Sequence, residues 1–167
     1  TTPARRTLSK RRLGIGLALA PFAAAGGWIA YSRLAIDHGV PLPPAVPGQR
    51  ERLDSRAGMI SFYASTEAKG VPLLLIHSIN AAANAYEVRP LYMHYRTRRP
   101  VYAIDLPGFG FSERSPRTYT PRLMSDAIHA LVAEIRARHG GGQVDAIALS
   151  LSAEYLARAA VERPEDY

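Results

Sequence analysis

Continuous apolar runs alternate with amphipathic stretches from residue 59 onward, and this pattern predicts alternating strands and helices. Three of the runs, residues 71–76, 101–106 and 144–149, are almost wholly apolar. Such runs are typical of strands that are buried on both faces of a sheet. A further short strand is predicted at residues 59–64, which contain Phe62 and Tyr63.

Helical periodicity fills the intervals between these runs. Apolar side chains recur every three or four residues from Leu123 to Ile135, which predicts a helix with one apolar face. Thr120 is expected to cap this helix and Pro121 to occupy its first position. Residues 86–97 and 151–161 predict two more helices. Successive β-α-β units with buried strands imply an α/β fold, with a mostly parallel sheet and helices on both of its faces.

The first 39 residues have a different character and form a separate predicted segment. Five Lys and Arg residues precede residue 13, and the stretch from Leu13 to Ser32 carries no charge. This is about the length of a helix that crosses a bilayer, and the preceding basic residues favour export of the downstream domain. We expect a single-pass signal anchor with the domain outside the cytoplasm. The alternative is a signal peptide that is cleaved near residues 23–25 and releases a secreted domain.

Residues 40–50 predict an extended linker, because four prolines fall within residues 40–47. The globular domain is then expected over residues 51–167. The formal charge of +7 falls to +2 once the five basic residues before residue 13 are set aside. The domain therefore lacks the basic face of a nucleic-acid-binding protein. The chain has no cysteine, and no two histidines have metal-ligand spacing, so we expect no metal and no cofactor.

Ser150 stands between the last predicted strand and the last predicted helix with no loop around it. A strand that turns into a helix through one serine is the geometry of a nucleophile elbow, in which a sharp turn exposes the hydroxyl. The turn needs small residues two positions before and after the serine, and these are Ala148 and Ser152. The same pattern also fits an ordinary serine at a strand end.

Two further segments follow the other buried strands. His77-Ser-Ile-Asn80 follows the first, and Asp105-Leu-Pro-Gly-Phe-Gly-Phe-Ser112 follows the second. Together with the Ser150 segment, in this order and spacing, they resemble the N-terminal portion of a serine hydrolase of the α/β-hydrolase superfamily. The resemblance covers residues 59–167 and implies the α/β-hydrolase fold, truncated after the helix that follows the elbow.

The resemblance also implies roles for individual residues. Ser150 is expected to be the nucleophile in the hydrolysis of a small-molecule ester or related acyl substrate through an acyl-enzyme. The backbone N–H groups of Leu151 and Ile79 are expected to form the oxyanion hole. Five residues are expected to shape the loops without reacting: His77, Ser78, Asp105, Gly108 and Gly110. Ser78 departs from the glycine that many relatives carry at this position.

The triad of this family follows the order Ser, acid, His, but all five histidines of this chain precede Ser150. We therefore expect the chain to be an N-terminal piece of a longer protein and to be inactive by itself. It should then have a sheet edge with no neighbouring strand and a helix face with no cover. A membrane-anchored binding protein with the same fold and no catalysis is the alternative.

Overall fold

The computed structural model describes the backbone of residues 10–39 and 43–167, with side chains described from Ala20 onward within those ranges. The chain divides into two units between Pro43 and Pro44. The first unit contains helix α1, Lys10–Ala35, with Pro21 inside it. In the part of the chain with described side chains, no helix is long and apolar enough to cross a bilayer. The predicted anchor begins at Leu13, outside that part, and stays a prediction.

A five-stranded sheet forms the centre of the second unit. Its spatial order is β1-β2-β4-β3-β5, with β1 and β2 antiparallel to their neighbours and with β4, β3 and β5 parallel. The predicted α/β class is therefore confirmed. The strands are β1 Gln49–Ser55, β2 Gly58–Ser65, β3 Leu73–Ile76, β4 Val101–Asp105 and β5 Asp145–Ala148.

Helices follow each of the three parallel strands. Helix α3 begins as predicted, because the Thr120 hydroxyl accepts a hydrogen bond from the Leu123 N–H at 3.2 Å and Pro121 fills the first position. The single helix predicted over residues 86–97 is instead a 3-10 turn followed by a short α-helix. Pro90, which has no N–H to donate, lies in the first turn of that α-helix. The helices are α2 Arg89–Tyr95, α3 Pro121–Arg138 and α4 Ser152–Glu162, with 3-10 turns at Ala85–Val88 and Pro164–Asp166.

The two faces of the sheet bury two separate apolar clusters. Along β3, Leu74 and Ile76 belong to the cluster that α3 and α4 cover, whereas Leu73 and Leu75 belong to the cluster that α2 covers. Successive residues of a strand point to opposite faces, so a strand that is apolar at every position must be covered on both sides. The predicted arrangement of helices on both faces is thus present.

The beginning of the domain differs from the prediction in two ways. Strand β1 was not predicted, because its sequence is polar and none of its side chains is buried. The domain also begins before residue 51. Val46 is fully buried, and the Ala45 N–H donates to the Tyr63 hydroxyl at 3.1 Å, so this part of the predicted linker packs into the core.

Strand β5 forms one edge of the sheet, as expected. It pairs only with β3 among the described strands, and its residues are half-buried or exposed. On the helix that follows, Val161 is 82% exposed. An edge strand presents unpaired N–H and C=O groups, and this one carries Ser150 two residues after its end.

Candidate active site

Ser150 has the backbone conformation that an elbow requires. Its φ is 54°, and it is the one non-glycine residue with positive φ in the described part of the chain. An L-residue in this left-handed region costs about 1–2 kcal/mol, so the surrounding backbone must hold it there. The Leu149 N–H donates to the Ile76 carbonyl at 3.0 Å, and the Ala153 N–H donates to the Ser150 carbonyl at 3.0 Å. The turn is therefore pinned by the sheet on one side and by α4 on the other.

The Ser150 side chain is exposed, and no described residue forms a hydrogen bond with it as a general base. Each histidine in that part of the chain has other partners, and none of them is Ser150. The partners are Ser32 for His38, Arg98 for His94, Tyr102 for His139, Glu162 for His129, and the Ser78 carbonyl and Leu106 N–H for His77. The sharp turn at Ser150 is thus present, and no histidine of the described residues is hydrogen-bonded to this serine.

His77 has both ring nitrogens occupied by the backbone. Its Nε2 accepts from the Leu106 N–H at 3.0 Å, so Nδ1 carries the proton and donates to the Ser78 carbonyl at 2.6 Å. Burial lowers the pKa of the His77 imidazole, and the Ser78 carbonyl offsets part of that effect. A neutral ring with no free nitrogen joins the ends of β3 and β4, which fits the loop-shaping role predicted for this residue.

Asp105 anchors the loop that follows β4. Its two carboxylate oxygens accept from the Ala85 N–H at 2.9 Å and from the Phe111 N–H at 3.0 Å. Burial raises the pKa of the Asp105 carboxyl, and these two hydrogen bonds oppose that rise. Gly110 passes over the carboxylate with φ +50°, and a Cβ there would lie 2.1 Å from the Asp105 Cγ. Only glycine fits such a close approach.

Ser78, at the position where relatives often carry glycine, is held by a carboxylate. Its N–H and its hydroxyl both donate to Glu87 Oε2, at 2.8 Å and 2.7 Å, and Asn80 Nδ2 donates to Oε1 at 2.6 Å. Burial opposes ionisation of Glu87, but these hydrogen bonds outweigh it and lower the pKa of its carboxyl. Glu87 was not identified from the sequence, because nothing local links it to a residue nine positions earlier.

Ser152 connects the elbow to the loop after β3. Its hydroxyl is buried and donates to the His77 carbonyl at 2.6 Å. The small residue at this position was predicted only to permit a tight turn, so the hydrogen bond is an additional finding. It joins the two segments that carry the Ile79 and Leu151 N–H groups. Within the described residues, neither N–H donates to a backbone acceptor.

The family model described as "Alpha/beta hydrolase family" matches residues 73–164, which span β3 to the turn after α4. The chain belongs to the alpha/beta hydrolase family. This membership confirms the resemblance drawn from the three loop segments and makes the chain a relative of hydrolase enzymes. No curated protein sequence matches the chain.

Solved structures show the same alpha/beta hydrolase fold. An epoxide hydrolase from Vigna radiata is 21% identical, with a TM-score of 0.60 over 71% of this chain and 37% of that one. An esterase from Thermogutta terrifontis is 21% identical, with a TM-score of 0.59 over 71% of this chain and 43% of that one. A lidless a/b serine hydrolase from Xanthomonas campestris is 17% identical, with a TM-score of 0.61 over 75% and 61%. This chain thus spans only part of the length of each.

Proposed function

We propose that the protein is a serine hydrolase that cleaves an ester or related acyl bond through an acyl-enzyme on Ser150. The observation that carries the proposal is the left-handed turn at Ser150 between β5 and α4 of an alpha/beta hydrolase fold. In the reaction, the Ser150 oxygen attacks the carbonyl carbon, its proton passes to a base, and the alcohol leaves with a proton from that base. Water then releases the acid by the same route.

The oxyanion of the tetrahedral intermediate is proposed to bind between the N–H groups of Leu151 and Ile79. Each such donor typically contributes about 2.7–4 kcal/mol of transition-state stabilisation when it is pre-positioned. Two hydrogen bonds support the pre-positioning of these donors. The Ser152 hydroxyl donates to the His77 carbonyl, and the Ser78 N–H donates to the Glu87 carboxylate. These contacts hold the two donor segments before substrate arrives, so little reorganisation is needed during reaction.

The base and the acid are proposed to come from outside residues 43–167. Each histidine among those residues has partners other than Ser150, and the chain spans 37% to 61% of the length of the solved relatives described above. The esterase and the serine hydrolase among these relatives are compatible with acyl chemistry, and the epoxide hydrolase acts on a different bond. A serine at the elbow favours the acyl substrate.

A fluorophosphonate probe tests this function directly, because it phosphonylates an activated serine with loss of fluoride. We expect the complete protein to be labelled, with the adduct on the peptide that contains Ser150. The Ser150→Ala variant should lose both labelling and ester hydrolysis, whereas Ser115→Ala, in the loop after β4, should keep both. Undiminished ester hydrolysis by Ser150→Ala rejects the proposal.

A non-catalytic binding protein with the same fold is the second candidate. It is favoured by the lack of a histidine partner for Ser150 among the described residues. On this alternative, the complete and folded protein is not labelled at Ser150 by the fluorophosphonate. A thermal unfolding transition measured on the same sample establishes that the unlabelled protein is folded.

For localisation, we propose that the basic and uncharged segments within residues 1–39 direct the domain out of the cytoplasm. The proposal is supported by the five positive charges that precede the uncharged stretch from Leu13 to Ser32. Alkaline phosphatase fused after Gly48 should be active, since that enzyme needs an oxidising compartment. Carbonate extraction of the membranes then separates an anchored product from a cleaved one. An inactive fusion that is expressed at normal level contradicts export.

A further inference from the structure

A cavity of about 330 Å³ lies beside the candidate active site, and the proposed function gives it no role. Its walls come from the loops after β3 and β4 and from the first turns of α3 and α4. Ile79, Phe109, Met124 and Tyr155 contribute apolar surface to it. The volume is at the low end of the roughly 300–1,000 Å³ found for small-molecule sites, which suits one small group of a ligand.

The cavity borders one donor of the proposed oxyanion hole directly, and it also borders the helix that follows the other donor. Ile79 carries one of the two N–H groups and itself lines the cavity. Tyr155 also lines it, and it lies four residues after Leu151, which carries the other N–H. Residues four apart lie on the same face of a helix, one turn from each other. A carbonyl oxygen held by the two N–H groups therefore brings a substituent of its carbonyl carbon to the opening of this cavity.

Two polar side chains in the cavity wall, Arg114 and Tyr119, already form hydrogen bonds with the loop after β4. Arg114 donates to the carbonyls of Gly108 and Gly110 at 3.2 Å and 2.9 Å, and the Tyr119 hydroxyl donates to the Ser115 carbonyl at 3.1 Å. The Tyr119 ring packs on Gly108, where a Cβ would lie 2.7 Å from it. These contacts turn apolar ring and chain atoms to the cavity, so its walls offer few hydrogen bonds to a polar ligand.

We propose that this cavity binds the acyl chain of the substrate and that Met124 limits the length of that chain. The apolar lining favours an aliphatic acyl group over a polar one. Met124 is 5% exposed and lies in the first turn of α3, where a larger side chain would take up the space. This inference rests on the proposed function and adds the substrate class to it.

A binding test that does not depend on activity is the titration of methyl hexanoate into the complete Ser150→Ala protein, whose methionines carry ¹³C-methyl groups. Three of the methionines are Met59, Met93 and Met124, and the methyl signal of each can be assigned by mutation. We expect the Met124 methyl to shift on titration and the exposed Met93 methyl to stay in place. No Met124 shift at the solubility limit of the ester, or equal shifts of all three methyls, overturns the inference.

A kinetic comparison tests the limit on chain length. Met124→Trp should lower the ratio of kcat/KM for 4-nitrophenyl hexanoate to that for the acetate about tenfold or more, whereas the matched control Met93→Trp should keep the ratio within about twofold. An unchanged ratio in a folded Met124→Trp protein rejects the acyl cavity even when hydrolysis still requires Ser150. Hydrolysis that does not require Ser150 rejects the proposed function instead.

Discussion

Replacing Gly110 by alanine should destabilise the domain far more than replacing a glycine with a similar φ at the surface. A Cβ on Gly110 would lie 2.1 Å to 2.3 Å from three atoms of the Asp105 carboxyl group. Two carbon or oxygen atoms that are not bonded to each other cannot lie this close, so the carboxylate must move. Gly140 has φ +78°, and a Cβ added there would meet nothing within 4 Å, so it serves as a control for backbone strain alone.

The magnitude follows from the contacts of Asp105. Left-handed strain costs about 1–2 kcal/mol in both variants. Displacing the carboxylate also weakens its hydrogen bonds to the Ala85 and Phe111 N–H groups, and a bond to a charged group contributes about 1.5–3 kcal/mol. With one of the two lost, Gly110→Ala should lower the free energy of unfolding by about 2.5–5 kcal/mol, against about 1–2 kcal/mol for Gly140→Ala.

Urea denaturation, monitored by circular dichroism, measures the free energy of unfolding of both variants. Each variant is compared with wild type at equal slope, so that the change in midpoint reports stability. A Gly110→Ala protein that is no less stable than Gly140→Ala would refute the reasoning, because it would mean that the Asp105 carboxylate does not need the space above it.

Two further predictions concern the contacts around the proposed oxyanion hole. Hydrogen bonds lower the pKa of Glu87 in the folded state, so its hold on Ser78 is complete above the unfolded pKa of about 4.3 and is lost as pH falls through the lower folded value. The free energy of unfolding of wild type should therefore fall more steeply below about pH 4.3 than that of Glu87→Gln, which should also be labelled by the fluorophosphonate more slowly at neutral pH; an identical acid dependence of stability in both proteins argues against the role of Glu87. Ser152→Ala removes the donor to the buried His77 carbonyl and should cost about 1–3 kcal/mol of stability and slow labelling of Ser150. Ser115→Ala is the matched control, and equal labelling rates of the two variants would contradict the bracing role of Ser152.

Much of the fold could be predicted from short-range patterns. The three parallel strands are recognisable because each has apolar residues at consecutive positions. Helix α3 is recognisable because its apolar face, its cap at Thr120 and Pro121 all lie within one stretch. Strand β1 could not be predicted in this way. Its polar side chains are compatible with a sheet edge only because β2 supplies the hydrogen bonds of its backbone.

The candidate site, like the fold, could be predicted only in part from the sequence. Ser150, Leu151 and Ile79 were identified from the sequence as candidates, and their roles stay predictions. From the sequence, Ser78 is only a departure from glycine and Ser152 only a residue small enough for the turn. In the structure, each has a hydrogen-bond partner that the sequence does not indicate, Glu87 for Ser78 and the His77 carbonyl for Ser152.

By itself, the sequence determined which segments form the parallel strands and the amphipathic helix, and where a serine stands between a strand and a helix. Those properties depend on residues a few positions apart, so short stretches of the sequence are enough to predict them. Only the tertiary structure decided the sheet order, the contact between Ser152 and a carbonyl 75 positions earlier, and the cavity beside Ile79. These depend on distances between segments far apart in the chain, which packing sets and no local pattern encodes.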